Sequence, residues 1–178
     1  MSTTTSPVAG KVGQGLDFDG VNDYVSLASN PLSNLSSPSS ACAWILTTDN
    51  NHSYGGYTQR ILTLYTDSNN YVGLRVSSGY FGAIYKAGGT DYGKYKTGTI
   101  SNNIWYHVCY VWNGSGISLY VNGINLSGLT ALSQSSPENV IGGRTSNTGN
   151  WLGYIDDIRL YSRALLQSEI IQLYNTGH

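Results

Sequence analysis

The stretch GLDFDGVNDYVSL, residues 15–27, places Asp17, Asp19 and Asp23 within seven residues of a chain that is only 11% charged. Acids so spaced could do three kinds of chemistry. They could form turns, their carboxylates bonding nearby backbone N–H groups. They could hold a hard cation such as calcium, which takes about six to eight oxygens from carboxylates and backbone carbonyls. They could also belong to a catalytic pair, which in retaining glycoside hydrolysis needs two carboxyls about 5–5.5 Å apart.

The catalytic reading lacks partners. The chain has two glutamates, Glu138 after Pro137 in a turn and Glu169 in a helical segment, so neither is a strand acid. Asp17 and Asp19 share one strand face with no general acid beside them. Asp156 and Asp157 are adjacent, and alternation sends them to opposite faces. His107 lies within an apolar run near Trp105, where a packed or hydrogen-bonded role is expected, and the three histidines make no Ser-His-Asp or Cys-His set. No catalysis is expected. DFDGVND is not an EF-hand loop either: its glycine stands fourth, and Ala28 occupies the closing position.

Two further stretches could contact a sugar: NHSYGGYTQR (51–60) and GYFGAIYKAGGTDYGKYKTG (79–98). Tyrosine rings stack on the apolar face of a pyranose while amides and charges bond its hydroxyls. Tyr54, Tyr57, Tyr92 and Tyr95 are the expected platform, with Lys94 and Lys96 placed to meet an acidic sugar. The same rings would equally serve a protein interface.

The elements that must position these groups are strands. The chain of 178 residues fits one domain with a real core. Runs rich in Val, Ile, Leu, Tyr and Trp recur at 15–19, 23–27, 41–48, 60–65, 70–76, 80–86, 105–112, 117–121, 139–142 and 151–161, with Gly, Asn, Ser and Asp between them. In IWYHVCYVWNGSGISLYVNGINL, Asn113-Gly114 and Asn122-Gly123 supply the turn residues of a three-stranded antiparallel meander. ALLQSEIIQLYNTG is the one helix, with Leu166, Ile170 and Leu173 at helical spacing and Gly177 placed to stop it. Many strands and one terminal helix make an all-β, two-sheet antiparallel sandwich.

Composition narrows the partners. A formal net charge of −1 supplies no field for nucleic acid. No apolar run is long enough to span a membrane. MSTTTSPVAG lacks the charged and apolar regions of a secretory signal. Cys42 and Cys109 each sit in an apolar run and are expected to be two free core thiols, with a disulfide as the alternative.

GKVGQGLDFDGVNDYVSL, CAWILT, IWYHVCYVWNGSGISLYVNG and GYIDDIRLYSRALLQSEIIQLY follow one another in this order. From Val12 to the C-terminus that succession resembles the laminin-G-like jelly roll of the concanavalin A-like lectin/glucanase superfamily, which includes lectins, glycosidases, adhesion modules and scaffolds. By the stretch over which the resemblance runs, residues 12–178 are expected to be the domain and 1–11 a tail. The resemblance implies a structural calcium, with Asp156 of IDDIRLY as side-chain ligand and Asp19 and the Gly20 carbonyl joining from the first strand. The alternating strand acids of the superfamily's glycosidases have no counterpart here. Relatives carry Ser or Thr where Leu166 stands, so a shifted or frayed helix start is expected. The resemblance implies a non-catalytic carbohydrate-binding or adhesion module. The alternative is a surface or virion assembly subunit, compatible with a homo-oligomer. Both place the chain outside cells, on a cell surface or on a virion.

Overall fold

Runs of β-branched and aromatic residues, broken by Gly and Asn turns, give two antiparallel sheets and one helix in a computed structural model of the chain. It describes residues 7–32, 34–52, 58–133, 137–146 and 149–177. In chain order the strands are β1 (Pro7–Ala9), β2 (Gln14–Asp19), β3 (Val25–Ser26), β4 (Ser39–Thr47), β5 (Gln59–Asp67), β6 (Asn70–Ser77), β7 (Tyr80–Ala87), β8 (Thr90–Asp91), β9 (Lys94–Lys96), β10 (Tyr106–Trp112), β11 (Ile117–Val121), β12 (Ile124–Asn125), β13 (Thr130–Ala131), β14 (Val140–Ile141) and β15 (Leu152–Tyr161). Helix α1 (Gln167–Asn175) follows. The first sheet runs β1-β2-β15-β4-β10-β11-β12; the second runs β13-β9-β7-β6-β5-β14-β3, with β8 on β7.

The expected meander is present: β10, β11 and β12 pair in succession, and Asn122 (φ 51°) and Gly123 (φ 78°) make the tight turn between the last two. β1 pairs with β2 from Pro7↔Leu16 to Ala9↔Gln14. The sheet therefore starts within the residues expected to be a tail.

Alternation sends Ala41, Ala43 and Ile45 of β4 and Val108, Tyr110 and Trp112 of β10 inward, against Leu62, Leu64, Val72, Leu74 and Tyr85 of the second sheet. Tyrosines can fill this core because their hydroxyls are satisfied. Tyr85 Oη donates to the Leu35 carbonyl at 2.7 Å and lies 3.1 Å from Ser39 Oγ. Burial pushes Tyr85 up to about 12, opposed by its Ser39 hydrogen bond. Burial raises Tyr110 as well.

The outer face of the first sheet carries a second apolar cluster. Cys42, Cys109, Val111 and Tyr120 lie under Leu165, Ile170 and Leu173. The two cysteines are not free thiols: they stand directly opposite on β4 and β10 and form a disulfide. Their sequence separation of 67 conceals that adjacency. Leu166 offers α1 no side-chain cap, yet the helix starts at Gln167, because Glu169 Oε2 accepts the Leu166 N–H at 2.8 Å. The neighbouring Arg163 guanidinium and that N–H hold the Glu169 carboxyl down at about 2.

Candidate functional site

The opening aspartates act first on their own turn. Asp19 Oδ1 accepts the N–H groups of Val21 at 2.8 Å, Asn22 at 3.1 Å and Asp23 at 3.4 Å. The nearly buried Asp23 returns the bond, its Oδ2 accepting the Asp19 N–H at 3.1 Å. Gly20 takes φ +76°, open to glycine and strained for other residues, and its carbonyl oxygen lies 2.9 Å from His52 Nε2. Asp17 stands opposite Tyr154 on the outer face of the first sheet. Burial first, then the Asp23 charge, raises its carboxyl above the ordinary range.

β2 and β15 do lie side by side, as the metal reading requires, but their register separates its members. Asp19 pairs with Leu152, and Asp156 stands four residues further along β15, roughly 13 Å at strand spacing. Asp156 lies under the turn that joins β1 to β2. Its Oδ2 accepts the Val12 N–H at 2.7 Å, and a Cβ on Gly10 would overlap that same oxygen. Asp19, Gly20 and Asp156 thus do not fit one calcium coordination sphere. Alternation also fails just beyond: the β15–β4 register shifts between Asp156 and Arg159, Asp157 takes φ 47°, and its carboxylate accepts Arg159 Nε at 2.9 Å.

Tyr54 and Tyr57 lie outside the described residues. Tyr92 packs on Trp112, with ring centroids 4.5 Å apart, and is partly withdrawn into the core. Lys94 pairs with Ala83 on β7, at the margin of the second sheet. Tyr95 is the candidate that a wider arrangement absorbs.

That arrangement is a cross-strand row on the outer face of the second sheet. Val72, Leu74 and Val76 of β6 face the core, so Tyr71, Gly73 and Arg75 face outward. Register then places Arg60 of β5 opposite Arg75, Arg75 opposite Gly82 of β7, and Gly82 opposite Tyr95 of β9. A shift in register between Arg60 and Leu62 directs Arg60 to this face while Leu62 stays in the core. A Cβ at Gly82 would meet Tyr95 Cβ at 2.7 Å, so the glycine lets the ring lie across the sheet. Tyr80 packs on Tyr95 at 4.9 Å between centroids, while Tyr65 and Tyr71 stack at 6.5 Å on the other side of the row. Lys86 Nζ lies 5.8 Å from the Tyr71 centroid. Both arginines are 2% exposed. Burial lowers the Arg75 pKa, against a hydrogen bond to Tyr80.

Two guanidiniums on one sheet face supply positive charge beneath the row, and rings on either side offer stacking surface. Arg60 and Arg75 were not among the expected site residues. Their signal is charge in the runs RILTLY and YVGLRV, at positions where a buried strand would carry an apolar residue.

A separate cavity of about 260 Å³ opens between the sheet edges, lined by Leu16, Phe18, Val25, Ile141, Ile155 and Ile158 with Asp156 and Asp157 at its margin. Its apolar walls hold few groups that could orient a sugar. His107 is packed against Trp44 at 5.3 Å between centroids and against Tyr174, and burial lowers it to about 4.

Residues 19–171 match the Laminin_G_3 model of the concanavalin A-like lectin/glucanases superfamily. Nothing among curated proteins matches the chain. Among solved structures it is similar to the Ruminococcus gnavus IT-sialidase CBM40 bound to α2,3-sialyllactose, at 18% identity and TM-score 0.67, covering 90% of this chain and 96% of that one. Domain 4 of AbnA, a GH43 extracellular arabinanase from Geobacillus stearothermophilus in complex with arabinotriose, is similar at 17% identity and TM-score 0.68 over 97% of this chain and 82% of its own. The binding domain of Paraclostridial Mosquitocidal Protein 1 gives 18% identity and TM-score 0.68, over 98% of this chain and 46% of that one. At such identities the likeness is one of fold, and it agrees with the sandwich topology and the family match. The chain belongs to the concanavalin A-like lectin/glucanases superfamily.

Proposed function

We propose that the chain is a non-catalytic carbohydrate-binding module that contacts an acidic glycan on the outer face of its second sheet. The row Arg60–Arg75–Gly82–Tyr95 carries the reading. Tyr80 and Tyr95, both half-buried, receive a pyranose face, and the buried guanidiniums beneath them give the row the positive charge that favours a sugar carboxylate. The similar Ruminococcus gnavus module is bound to sialyllactose and the arabinanase domain to arabinotriose, which supports a glycan as ligand and an acidic one among the first to try. We place the module outside the cell, where a disulfide such as Cys42–Cys109 persists. No helix among the described residues is long and apolar enough to cross a membrane.

Calcium stays in the proposal at Asp156 alone, as an ion holding the 10–13 turn. Chelation is then expected to lower the melting temperature of the natural chain and leave that of Asp156→Asn unchanged, as read by calorimetry.

The test is titration calorimetry with sialyllactose, a uronic-acid oligosaccharide and neutral oligosaccharides. Arg75→Gln should weaken the acidic ligand by about tenfold, through the loss of one positive charge beneath the row, and leave neutral ligands little changed. Tyr95→Ala should weaken acidic and neutral ligands alike. If no glycan binds, or Arg75→Gln binds as tightly as the natural chain, this reading fails and assembly with protein neighbours takes its place.

A further inference from the structure

We propose that Cys42, His107 and Cys109, once their disulfide is opened, form a binding site for a divalent cation of the zinc class. Positions i and i+2 of one strand, and the position opposing one of them on its neighbour, share one face of a sheet. His107 and Cys109 stand so on β10, and Cys42 opposes Cys109 on β4. Their ligand atoms all lie within 4.8 Å of one another. His107 Nδ1 and Nε2 are 3.9 and 4.0 Å from Cys109 Sγ. A tetrahedral site with Zn–S of about 2.3 Å and Zn–N of about 2.0 Å has edges of roughly 3.3–3.8 Å, so modest side-chain rotations complete the geometry.

Charge and surroundings agree with this assignment. A divalent cation, two thiolates and a neutral imidazole sum to zero, which an apolar cluster accommodates far better than an unbalanced ion. The walls are Val111, Tyr120, Leu165, Ile170 and Leu173. Arg159 opposes Cys42 from β15, but its guanidinium is bonded to Asp157. Zinc held by three protein ligands keeps a fourth position for water or another donor, here on the α1 side of the sheet.

The chemistry balances with a dithiol as reductant. It gives two electrons and two protons to the Cys42–Cys109 bond, leaving two thiols here and a disulfide on itself. The cation then displaces both thiol protons to solvent and binds two sulfurs and one imidazole nitrogen. The oxidised form belongs to compartments that keep disulfides, the metal form to reducing ones. Nothing in this assignment depends on the sugar site.

Cobalt(II), added under argon to the full chain after reduction and desalting, should be taken up at one equivalent. It should show thiolate-to-metal charge transfer and the visible bands of tetrahedral cobalt, both abolished by excess zinc, and the oxidised chain should show neither. Cys109→Ser should lose the bands, and His107→Gln should bind cobalt at least about tenfold more weakly, with its far-ultraviolet dichroism unchanged. If reduction loosens the fold, zinc must restore the near-ultraviolet dichroism and melting temperature that were lost. A reduced chain that takes up no cobalt, that binds it equally well as His107→Gln, or that zinc does not restore, overturns the proposal.

Discussion

Asp19 anchors a turn by holding three successive N–H groups on one carboxylate oxygen. An amide oxygen can do the same, so Asp19→Asn is expected to keep its stability, whereas Asp19→Ala loses about 1 kcal/mol. Urea unfolding distinguishes them; a loss in Asp19→Asn that calcium modulates would mean a metal ligand instead. His107 gives a pH signature in the disulfide-bonded chain. Burial lowers it from 6.5 to about 4, with Asp157 opposing and Arg159 assisting. The unfolded chain therefore binds the proton first. The associated stability is present above pH 6.5 and is lost as pH falls from 6.5 towards 4, about 3 kcal/mol in all. Unfolding free energies across that window should fall less steeply for His107→Gln. At this scale the sequence showed the turn chemistry of the first acids. It did not show Arg60 and Arg75, which look like ordinary charges until their strands are paired.

Pairing is the work of elements, and legibility there followed sequence distance. All ten strand-like runs of the sequence fall on strands, because each is marked by local composition and bounding turns. The pieces it did not mark, β1, β8, β9 and β13, have only two or three residues each. Local meander turns gave correct pairings, whereas β4 meets β10 and β2 meets β15 only through long connections. Hence the adjacency of β2 and β15 came only from the family resemblance, which did not carry their register, and Asp19 and Asp156 were expected together. Bulges defeat alternation in the same way at Arg60 and at Asp157. The disulfide is the costliest of these hidden pairings to lose. Opening a loop with 67 residues of separation removes about 4 kcal/mol in the chain-entropy account. Reduction without metal should therefore lower the melting temperature by roughly 8–16 °C, at about 2–4 °C per kcal/mol for this size. An unchanged melting curve would mean the cross-link contributes little.

For the whole molecule, the two sheets have different outer faces and so different tasks. The first is closed in part by α1 over the disulfide, with Trp44 fully buried against Tyr174 at its end. The second carries the arginine row and its tyrosines. A chain of low charge that concentrates two guanidiniums on one face has a direction, and the proposed ligand approaches from that side. Amide chemical-shift mapping of the full chain, titrated with sialyllactose and with a uronic-acid oligosaccharide, tests this most directly. Saturable shifts centred on Arg60, Arg75, Gly82 and Tyr95 are expected for at least one acidic ligand. Shifts confined to the first sheet, or none with either ligand at millimolar concentration, would contradict it.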